Sequence, residues 1–171
     1  SGYPYVVNID TANRVNPIDG KIIMSNLCSE ILQVQEPSVI NNAQEYEHLG
    51  TDISCNLGST NIVNLMKSPD FERSVDVAVR ALTFVTDHSS IDAVPTVKNG
   101  NSKAHTIGLG AMGLHTFFAL NQMEYGSPES IEATDLYFRM LNFYTLKASN
   151  KIAKERGKSF EGFERSKYAT G

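Results

Sequence analysis

Apolar side chains recur at helical spacing in two stretches of the sequence. Over residues 71–85 they lie three or four positions apart, and the preceding Ser68-Pro69 supplies a cap and a first turn. The same pair, Ser127-Pro128, opens a longer stretch that ends in basic residues before Gly157. The pattern predicts one helix that ends within residues 87–90 and another over residues 128–156. The apolar positions are Phe71, Val75, Ala78, Val79, Leu82 and Val85, then Ile131, Met140, Leu141, Phe143, Tyr144, Ala148 and Ile152.

Strands are predicted where β-branched and aromatic residues are bounded by polar turns. These stretches cover residues 3–9, 21–24, 52–57 and 104–107, and the chain is expected to stay extended over residues 31–34. A short helix is predicted over residues 114–121. Turn-forming and polar residues predict a helix cap or turn over residues 10–13, and turns or loops over residues 16–20, 36–50, 58–60 and 98–102.

The composition is that of one globular domain. The chain has 171 residues, of which 41% are hydrophobic and 20% charged, and its net charge is -4. This charge offers no basic footprint for nucleic acid, and we find neither an apolar run long enough to span a membrane nor a signal peptide. Two cysteines are too few for a disulfide scaffold, which favours a cytoplasmic protein with reactive or buried thiols.

One stretch concentrates polar chemistry: Ser25-Asn26-Leu27-Cys28-Ser29-Glu30-Ile31. In an extended backbone, its amide, thiol and carboxyl at every second position would project to one side within about 14 Å. Burying a carboxylate without a partner is costly, so a ligand or water between these groups would explain the set. The alternative is that Cys28 is only a small buried hydrophobic residue.

A glycine pattern, Gly108-x-Gly110-x-x-Gly113, lies between a predicted strand and a predicted helix. It matches the dinucleotide-binding motif, which also needs an acidic residue about 20 positions later at the end of a second strand. Glu132 and Asp135 have that spacing but lie inside the predicted long helix. A tight strand-to-helix turn is therefore the preferred interpretation, and a dinucleotide-binding module using residues 108–113 is the alternative function.

The histidines do not have the spacing of metal ligands. None of them is paired at i and i+4, and neither cysteine has a close cysteine or histidine partner in the sequence. We therefore predict no metal site in this chain. The four histidines are His48, His88, His105 and His115.

The polar stretch resembles the catalytic finger loop of the large (alpha) subunit of ribonucleoside-diphosphate reductase. The serine between Cys28 and Glu30, and the lead-in from Gly20 to Asn26, are most similar to the class Ib form. The resemblance continues through Gly2-Tyr3-Pro4-Tyr5, Asn16-Pro17-Ile18-Asp19-Gly20, Ser54-Cys55-Asn56-Leu57-Gly58-Ser59 and Lys103-Ala104-His105-x-Ile107-Gly108-Leu109-Gly110. It implies an α/β fold that is part of a ten-stranded α/β barrel, with residues 1–171 as a single partial domain and a finger loop over about residues 22–34.

The resemblance also implies roles for individual residues. Cys28 matches the cysteine that becomes a thiyl radical and takes the 3′ hydrogen of a ribonucleoside diphosphate. Glu30 matches the base that accepts the 3′-hydroxyl proton, and Asn26 matches the amide that holds the ribose hydroxyls. Cys55 matches one cysteine of the dithiol that supplies two electrons. Substrate binding is assigned to the whole set Asn26, Leu27, Cys28, Ser29 and Glu30.

The remaining implications concern partners. The chain itself would bind no cofactor, because a small (beta) subunit with a dinuclear metal centre and a tyrosyl radical supplies the radical. A thioredoxin- or glutaredoxin-like dithiol supplies the electrons, and the full-length form is expected to be a homodimer in the cytoplasm. The chain lacks much of the expected subunit, including a partner for Cys55, so we expect it to be inactive alone.

Overall fold

The computed structural model describes residues 2–89 and 91–170, which fall into two compact units. The first unit comprises residues 1–55, 86–106 and 159–171, and the second comprises residues 56–85 and 107–158. The helices are α1 Ile9–Val15, α2 Ile62–Met66, α3 Phe71–His88, α4 Pro95–Ala104, α5 Leu114–Leu120, α6 Pro128–Arg156 and α7 Lys167–Thr170, and a 3-10 turn covers Phe163–Arg165. The strands are β1 Val39–Ile40, β2 Tyr46–His48, β3 Leu57–Asn61 and β4 Gly108–Met112.

The longest helix, α6, has the bounds that the sequence predicts because both of its ends are encoded locally. The Ser127 side chain accepts a hydrogen bond from the backbone N–H of Ser130 as the N-terminal cap, and Pro128 occupies the first turn. Gly157 ends the helix with a left-handed backbone at φ +65°. The prediction for this element is confirmed.

Helix α3 is also confirmed, and it ends at His88, within the predicted limits; residue 90 lies outside the described residues. The predicted start at Ser68-Pro69 is wrong. The helix begins at Phe71, because the carboxylate of Asp70 accepts the backbone N–H of Arg73 at 2.8 Å and acts as the cap. The short helix predicted over residues 114–121 is α5.

The core of the second unit lies between α2, α3 and α6. Each helix contributes apolar side chains that are at most 9% exposed, and burying each valine, leucine or isoleucine among them stabilises the unit by about 1.5–3 kcal/mol. Partly buried residues of β4 and α5 pack against this cluster. The core residues are Ile62, Leu65, Val75, Val79, Tyr137, Leu141, Ala148 and Ile152.

Strands β3 and β4 pair in parallel, from Leu57 opposite Gly108 to Asn61 opposite Met112. A Cβ atom on Gly108 would lie 2.6 Å from Cδ2 of Leu57, so glycine permits the close approach. Within the described residues this pair and the antiparallel β1–β2 pair are the two sheets. The mixture of helices and strands agrees with the predicted α/β class, and no helix in this part of the chain is long and apolar enough to cross a membrane.

The first unit has little regular structure, and several strand predictions in it are wrong. Residues 3–8 form neither helix nor strand, and α1 begins at Ile9. Tyr3 and Tyr5 are exposed and stack on each other, with ring centroids 5.1 Å apart. Residues 21–24 are not a strand either, and residues 31–34, for which only an extended chain is predicted, form no helix or strand. β-branched composition alone does not make a strand, because a strand needs a partner for its backbone groups.

Other element predictions differ in position. The strand predicted over residues 52–57 begins only at Leu57, so the turn predicted over residues 58–60 lies inside β3. The strand predicted over residues 104–107 begins at Gly108, and the loop predicted over residues 98–102 lies inside α4. The loop predicted over residues 36–50 contains the exposed hairpin of β1 and β2, and the cap or turn over residues 10–13 lies inside α1.

The turn predicted over residues 16–20 is confirmed. Asn16 builds it with its side chain, because Nδ2 donates to the carbonyl of Ile18 at 2.8 Å and Oδ1 accepts the N–H of Ile18 at 3.0 Å. Gly20 completes the bend with φ +118°.

Candidate active site

Residues 25–31, the Cys28 loop, form a turn rather than an extended segment. The backbone N–H of Ser29 donates to the carbonyl of Asn26 at 3.0 Å, and Ser29 has a left-handed backbone with φ +63°. The alternation of side chains along a strand therefore does not apply here. The expectation of an extended backbone that places the three polar groups on one face is therefore wrong.

Asn26 closes the Cys28 loop with its side chain. Its Oδ1 accepts the backbone N–H of Ile31 at 3.0 Å. Ser25 Oγ donates to the carbonyl of Ile31 at 2.7 Å and lies 3.2 Å from Asn26 Oδ1. Ser25 and Asn26 thus bond to the residue at the far end of the loop, a structural role that the sequence analysis missed.

The chemistry-bearing side chains of the loop lie at the surface of the first unit. Cys28 is a free, exposed thiol, Glu30 is exposed, and Leu27 at the tip is 88% exposed. Ile22, three residues before the loop, and Ile31, its last residue, are buried and anchor it. The alternative that Cys28 is a small buried hydrophobic residue is therefore wrong for this structure.

The upstream arm of the loop, residues 21–24, is fixed by an amide side chain from α1. Asn13 Oδ1 accepts the N–H of Ile22 at 2.9 Å, and Asn13 Nδ2 donates to the carbonyl of Ile22 at 2.8 Å. One side chain thus satisfies both backbone groups of Ile22, as a neighbouring strand would. An asparagine in a predicted turn gave no signal for this role.

Cys55 ends an irregular segment, residues 51–55, which we call the Cys55 segment. Its thiol is free and exposed, whereas the neighbouring Ser54 is buried. The N–H of Asp52 donates to the carbonyl of Thr96 in α4 at 3.0 Å. The segment also pairs with the downstream arm of the Cys28 loop, residues 32–36, because Glu36 and Thr51 exchange backbone hydrogen bonds of 3.3 and 2.9 Å.

The glycine pattern does not form a phosphate-binding loop. Gly108 and Gly110 lie within β4, and only Gly113, with φ +82°, makes the turn into α5. In the dinucleotide motif the glycines lie in the turn after the strand, so this geometry does not favour the dinucleotide-binding alternative. The preferred interpretation, a tight strand-to-helix turn, holds for Gly113 alone.

The described residues contain no group of three or more histidine, cysteine or acidic side chains that could hold a metal ion. Two of the histidines instead lie beside single carboxylates. His48 Nε2 is 3.0 Å from Glu36, and His105 Nδ1 is 3.4 Å from Asp87.

Comparison with known proteins identifies the family of this chain. A sequence family described as "Ribonucleotide reductase, barrel domain" matches residues 1–171. The chain belongs to the ribonucleotide reductase family. It is 45% identical over its whole length to the ribonucleoside-diphosphate reductase subunit alpha of Mycoplasma pneumoniae and 43% identical to that of Bacillus subtilis. It covers 24% and 25% of these two proteins, so it spans about a quarter of the length of its curated relatives.

A solved structure supports the same fold. The class Id ribonucleotide reductase alpha subunit of Actinobacillus ureae superposes with a TM-score of 0.77 over 99% of this chain and 32% of that chain. The sequence identity is 24%, so this likeness shows the fold alone. The Cys28 loop and the Cys55 segment therefore lie in a chain with the fold and family of a reductase barrel domain.

Proposed function

We propose that this sequence acts as part of the catalytic subunit of a ribonucleoside-diphosphate reductase. The observation that carries the proposal is the turned Cys28 loop, which presents an exposed thiol and carboxylate beside a fixed amide within a chain of this family. Its substrates are ribonucleoside diphosphates and its products are the 2′-deoxy forms, which supply DNA synthesis.

The reaction begins and ends at Cys28. Its thiyl radical takes the hydrogen atom from C3′ of the ribose, which leaves a carbon radical and the Cys28 thiol. Glu30 accepts the proton of the 3′-hydroxyl and passes it to the 2′-hydroxyl, which leaves as water. After reduction, the Cys28 thiol returns its hydrogen to C3′ and the thiyl radical forms again.

The other loop residues hold the substrate. Asn26 binds the ribose hydroxyls through its amide, and Leu27 and Ser29 shape the contact surface beside Cys28. Because Asn26 Oδ1 already bonds to the N–H of Ile31, the Nδ2 end of this amide remains for the substrate.

Cys55 supplies reducing electrons in this scheme. A dithiol of Cys55 and a second cysteine outside this chain gives two electrons and two protons to the substrate radical and becomes a disulfide. A thioredoxin- or glutaredoxin-like protein then reduces the disulfide again.

The proposed working protein is larger than this chain. The 171 residues would form a partial domain of a ten-stranded α/β barrel in a cytoplasmic homodimer, with the finger loop over about residues 22–34. Both compact units fall within the single barrel-domain match, which supports this assignment. A class Ib small subunit with a dinuclear metal centre and a tyrosyl radical would generate the radical.

The experiment uses a full-length subunit that carries these residues, with its radical partner, a dithiol and a ribonucleoside diphosphate labelled at C3′. Wild-type protein is expected to form the 2′-deoxy product. Cys55→Ser is expected to stop product formation while label still passes from C3′ to water, because a thiol hydrogen on Cys28 exchanges with solvent. Product formation by Cys55→Ser at the wild-type rate would contradict the role of Cys55, and a wild-type protein without product would contradict the function.

A further inference from the structure

The side chains of two glutamines in the downstream arm bond to backbone groups of neighbouring segments. In a regular sheet, the backbones of paired strands would make such bonds. Gln33 and Gln35 lie on the same arm, two positions apart, and their side chains bond to different neighbours. Gln35 bonds to the upstream arm of the Cys28 loop, and Gln33 bonds to the Cys55 segment. All three segments belong to the first unit.

Gln35 joins the two arms of the Cys28 loop. Its backbone N–H donates to the carbonyl of Lys21 at 3.1 Å, and its Oε1 accepts the N–H of Met24 at 3.0 Å and of Ile23 at 3.4 Å. Only the oxygen of the amide can face these two N–H groups, because both are donors. One side-chain oxygen therefore accepts two N–H groups of the upstream arm, in addition to the bonds between Asn13 and Ile22.

Gln33 joins the same arm to the residue before Cys55. Its Nε2 donates to the carbonyl of Ser54 at 3.0 Å. The backbone pairing of Glu36 with Thr51 lies three residues before Ser54 in the Cys55 segment. The Gln33 bond thus extends the attachment of the downstream arm up to the peptide bond that leads into Cys55.

The environment of Gln35 indicates which part of its side chain matters. Gln35 is 7% exposed, and its Nε2 has no hydrogen-bond partner among the residues that the structure describes. An unpaired buried donor costs free energy, which a methionine of similar size would avoid. The favourable contribution of the Gln35 amide is therefore its Oε1, which accepts the N–H groups of Ile23 and Met24.

We propose that Gln33 and Gln35 are positioning residues that hold the Cys28 loop at a fixed place relative to the Cys55 segment. This inference rests on the proposed function, in which the radical thiol and the reducing thiol act on one substrate. Gln35 fixes the loop that carries the radical residue, and Gln33 fixes that loop to the segment that carries the reductant. The glutamines touch no reacting atom and act only through the two cysteines.

The first test is structural and needs no activity. In the full-length subunit, Gln35→Met removes the acceptor at similar volume, whereas Gln35→Glu keeps a side-chain oxygen in either protonation state. Amide hydrogen exchange of Ile23 and Met24 is expected to rise about tenfold in Gln35→Met, as for the loss of one hydrogen bond. It is expected to stay within about twofold of wild type in Gln35→Glu, because the acceptor is retained.

The second test compares release of C3′ label with product formation, because the two glutamines are expected to affect different steps of the reaction. Gln35→Met is expected to lower both the release of C3′ label and product formation about a hundredfold, the size of a misplacement near 1 Å. Gln33→Glu removes the donor to Ser54, so it is expected to lower product formation while release of C3′ label stays within about twofold. The same glutamine-to-glutamate change is thus tolerated at residue 35 and harmful at residue 33.

Three results would overturn the proposal: wild-type hydrogen exchange in Gln35→Met, equal losses in Gln35→Met and Gln35→Glu, or full product formation by Gln33→Glu. A full-length protein that reduces no ribonucleotide would contradict the proposed function instead. In that case the exchange of Ile23 and Met24 still decides whether Gln35 holds the loop.

Discussion

Asn26 has two tasks in this account, and they use different ends of its amide. Its Oδ1 accepts the N–H of Ile31 and closes the Cys28 loop, and its Nδ2 is proposed to bind the ribose. Replacing the whole side chain therefore changes the loop and the substrate contact together.

Asn26→Asp should separate these tasks, because aspartate keeps the acceptor and loses the donor. We expect it to preserve the low hydrogen-exchange rate of the Ile31 amide while turnover falls at least about tenfold, the cost of one lost hydrogen bond to a reacting substrate. Asn26→Ala should raise the exchange of Ile31 as well. Unchanged exchange in Asn26→Ala would show that the side chain does not close the loop.

Tyr137 is the buried polar group of the second unit's core, at 1% exposure. Its hydroxyl lies 2.6 Å from Thr60 Oγ1, and Thr60 Oγ1 donates to the carbonyl of Gly110 at 3.0 Å. Because that bond uses the single hydrogen of Thr60, the tyrosine is the donor. Burial raises the pKa of Tyr137 above its usual range, and the hydrogen bond with Thr60 only partly opposes this.

Because the pKa of Tyr137 is raised, the free energy of unfolding is expected to change with pH in the alkaline range. The unfolded tyrosine loses its proton near pH 10 while the folded one keeps it, so the free energy of unfolding should fall as pH rises above about 10. Tyr137→Phe removes this dependence. We expect urea unfolding to show Tyr137→Phe less stable by about 1 kcal/mol at pH 8, with the gap narrowing above pH 10. A gap that stays constant with pH would contradict the account.

Helix α4 shows where local sequence reasoning fails for a whole element. Residues 98–102 are polar and contain glycine, which predicts a loop, yet they lie inside the helix Pro95–Ala104. Tertiary contacts make it a helix: Asn101 is buried and donates from Nδ2 to the carbonyl of Thr86 at 2.9 Å, and Gly100 packs against the backbone of Asp52. Neither contact is visible from neighbours in sequence.

Gly100→Ala tests that close packing. In a free helix, alanine is more stable than glycine by about 1 kcal/mol. Here a Cβ atom would overlap the carbonyl oxygen of Asp52, which is backbone and cannot turn away. We expect Gly100→Ala to destabilise the protein by about 1–3 kcal/mol in urea unfolding. A stabilised variant would show that α4 does not lie against residue 52.

The predictable elements are those whose signals are local. Ser127, Pro128 and Gly157 define the ends of α6 without help from the rest of the chain. The arms of the Cys28 loop could not be predicted, because Asn13 and Gln35 hold them with side chains rather than through a strand ladder. The candidate site residues stand out as a motif in the sequence, but the turn at Ser29 does not, since serine carries no strong preference for a left-handed backbone.

Many large apolar side chains in the described part of the molecule are exposed to solvent, and several of them lie on α6. Helix α6 buries Tyr137 and Leu141 on one face, while Leu136 and Phe143, on the opposite side by helical spacing, are 52% and 60% exposed. A helix with two apolar faces is typical of an element that packs on both sides. This agrees with a chain that spans a quarter of its relatives' length.

We therefore expect the isolated 171 residues to have no reductase activity. The proposed dithiol needs a second cysteine besides Cys28 and Cys55, and the sequence contains two cysteines. The measurement is 2′-deoxynucleotide formation by the purified chain with radical partner and dithiol, with the full-length subunit as the positive control. Turnover by the chain alone would contradict the assignment of separate roles to its two thiols.

Product formation by Cys28→Ser in the full-length subunit tests whether Cys28 carries the radical. Serine preserves the size of the side chain, but an O–H bond does not exchange hydrogen atoms with carbon as an S–H bond does. We expect no 2′-deoxynucleoside diphosphate and no release of C3′ label, with unchanged hydrogen exchange at Ile31 as the sign of an intact loop. Deoxynucleotide formation by Cys28→Ser at a rate comparable to wild type would contradict the claim that Cys28 carries the radical.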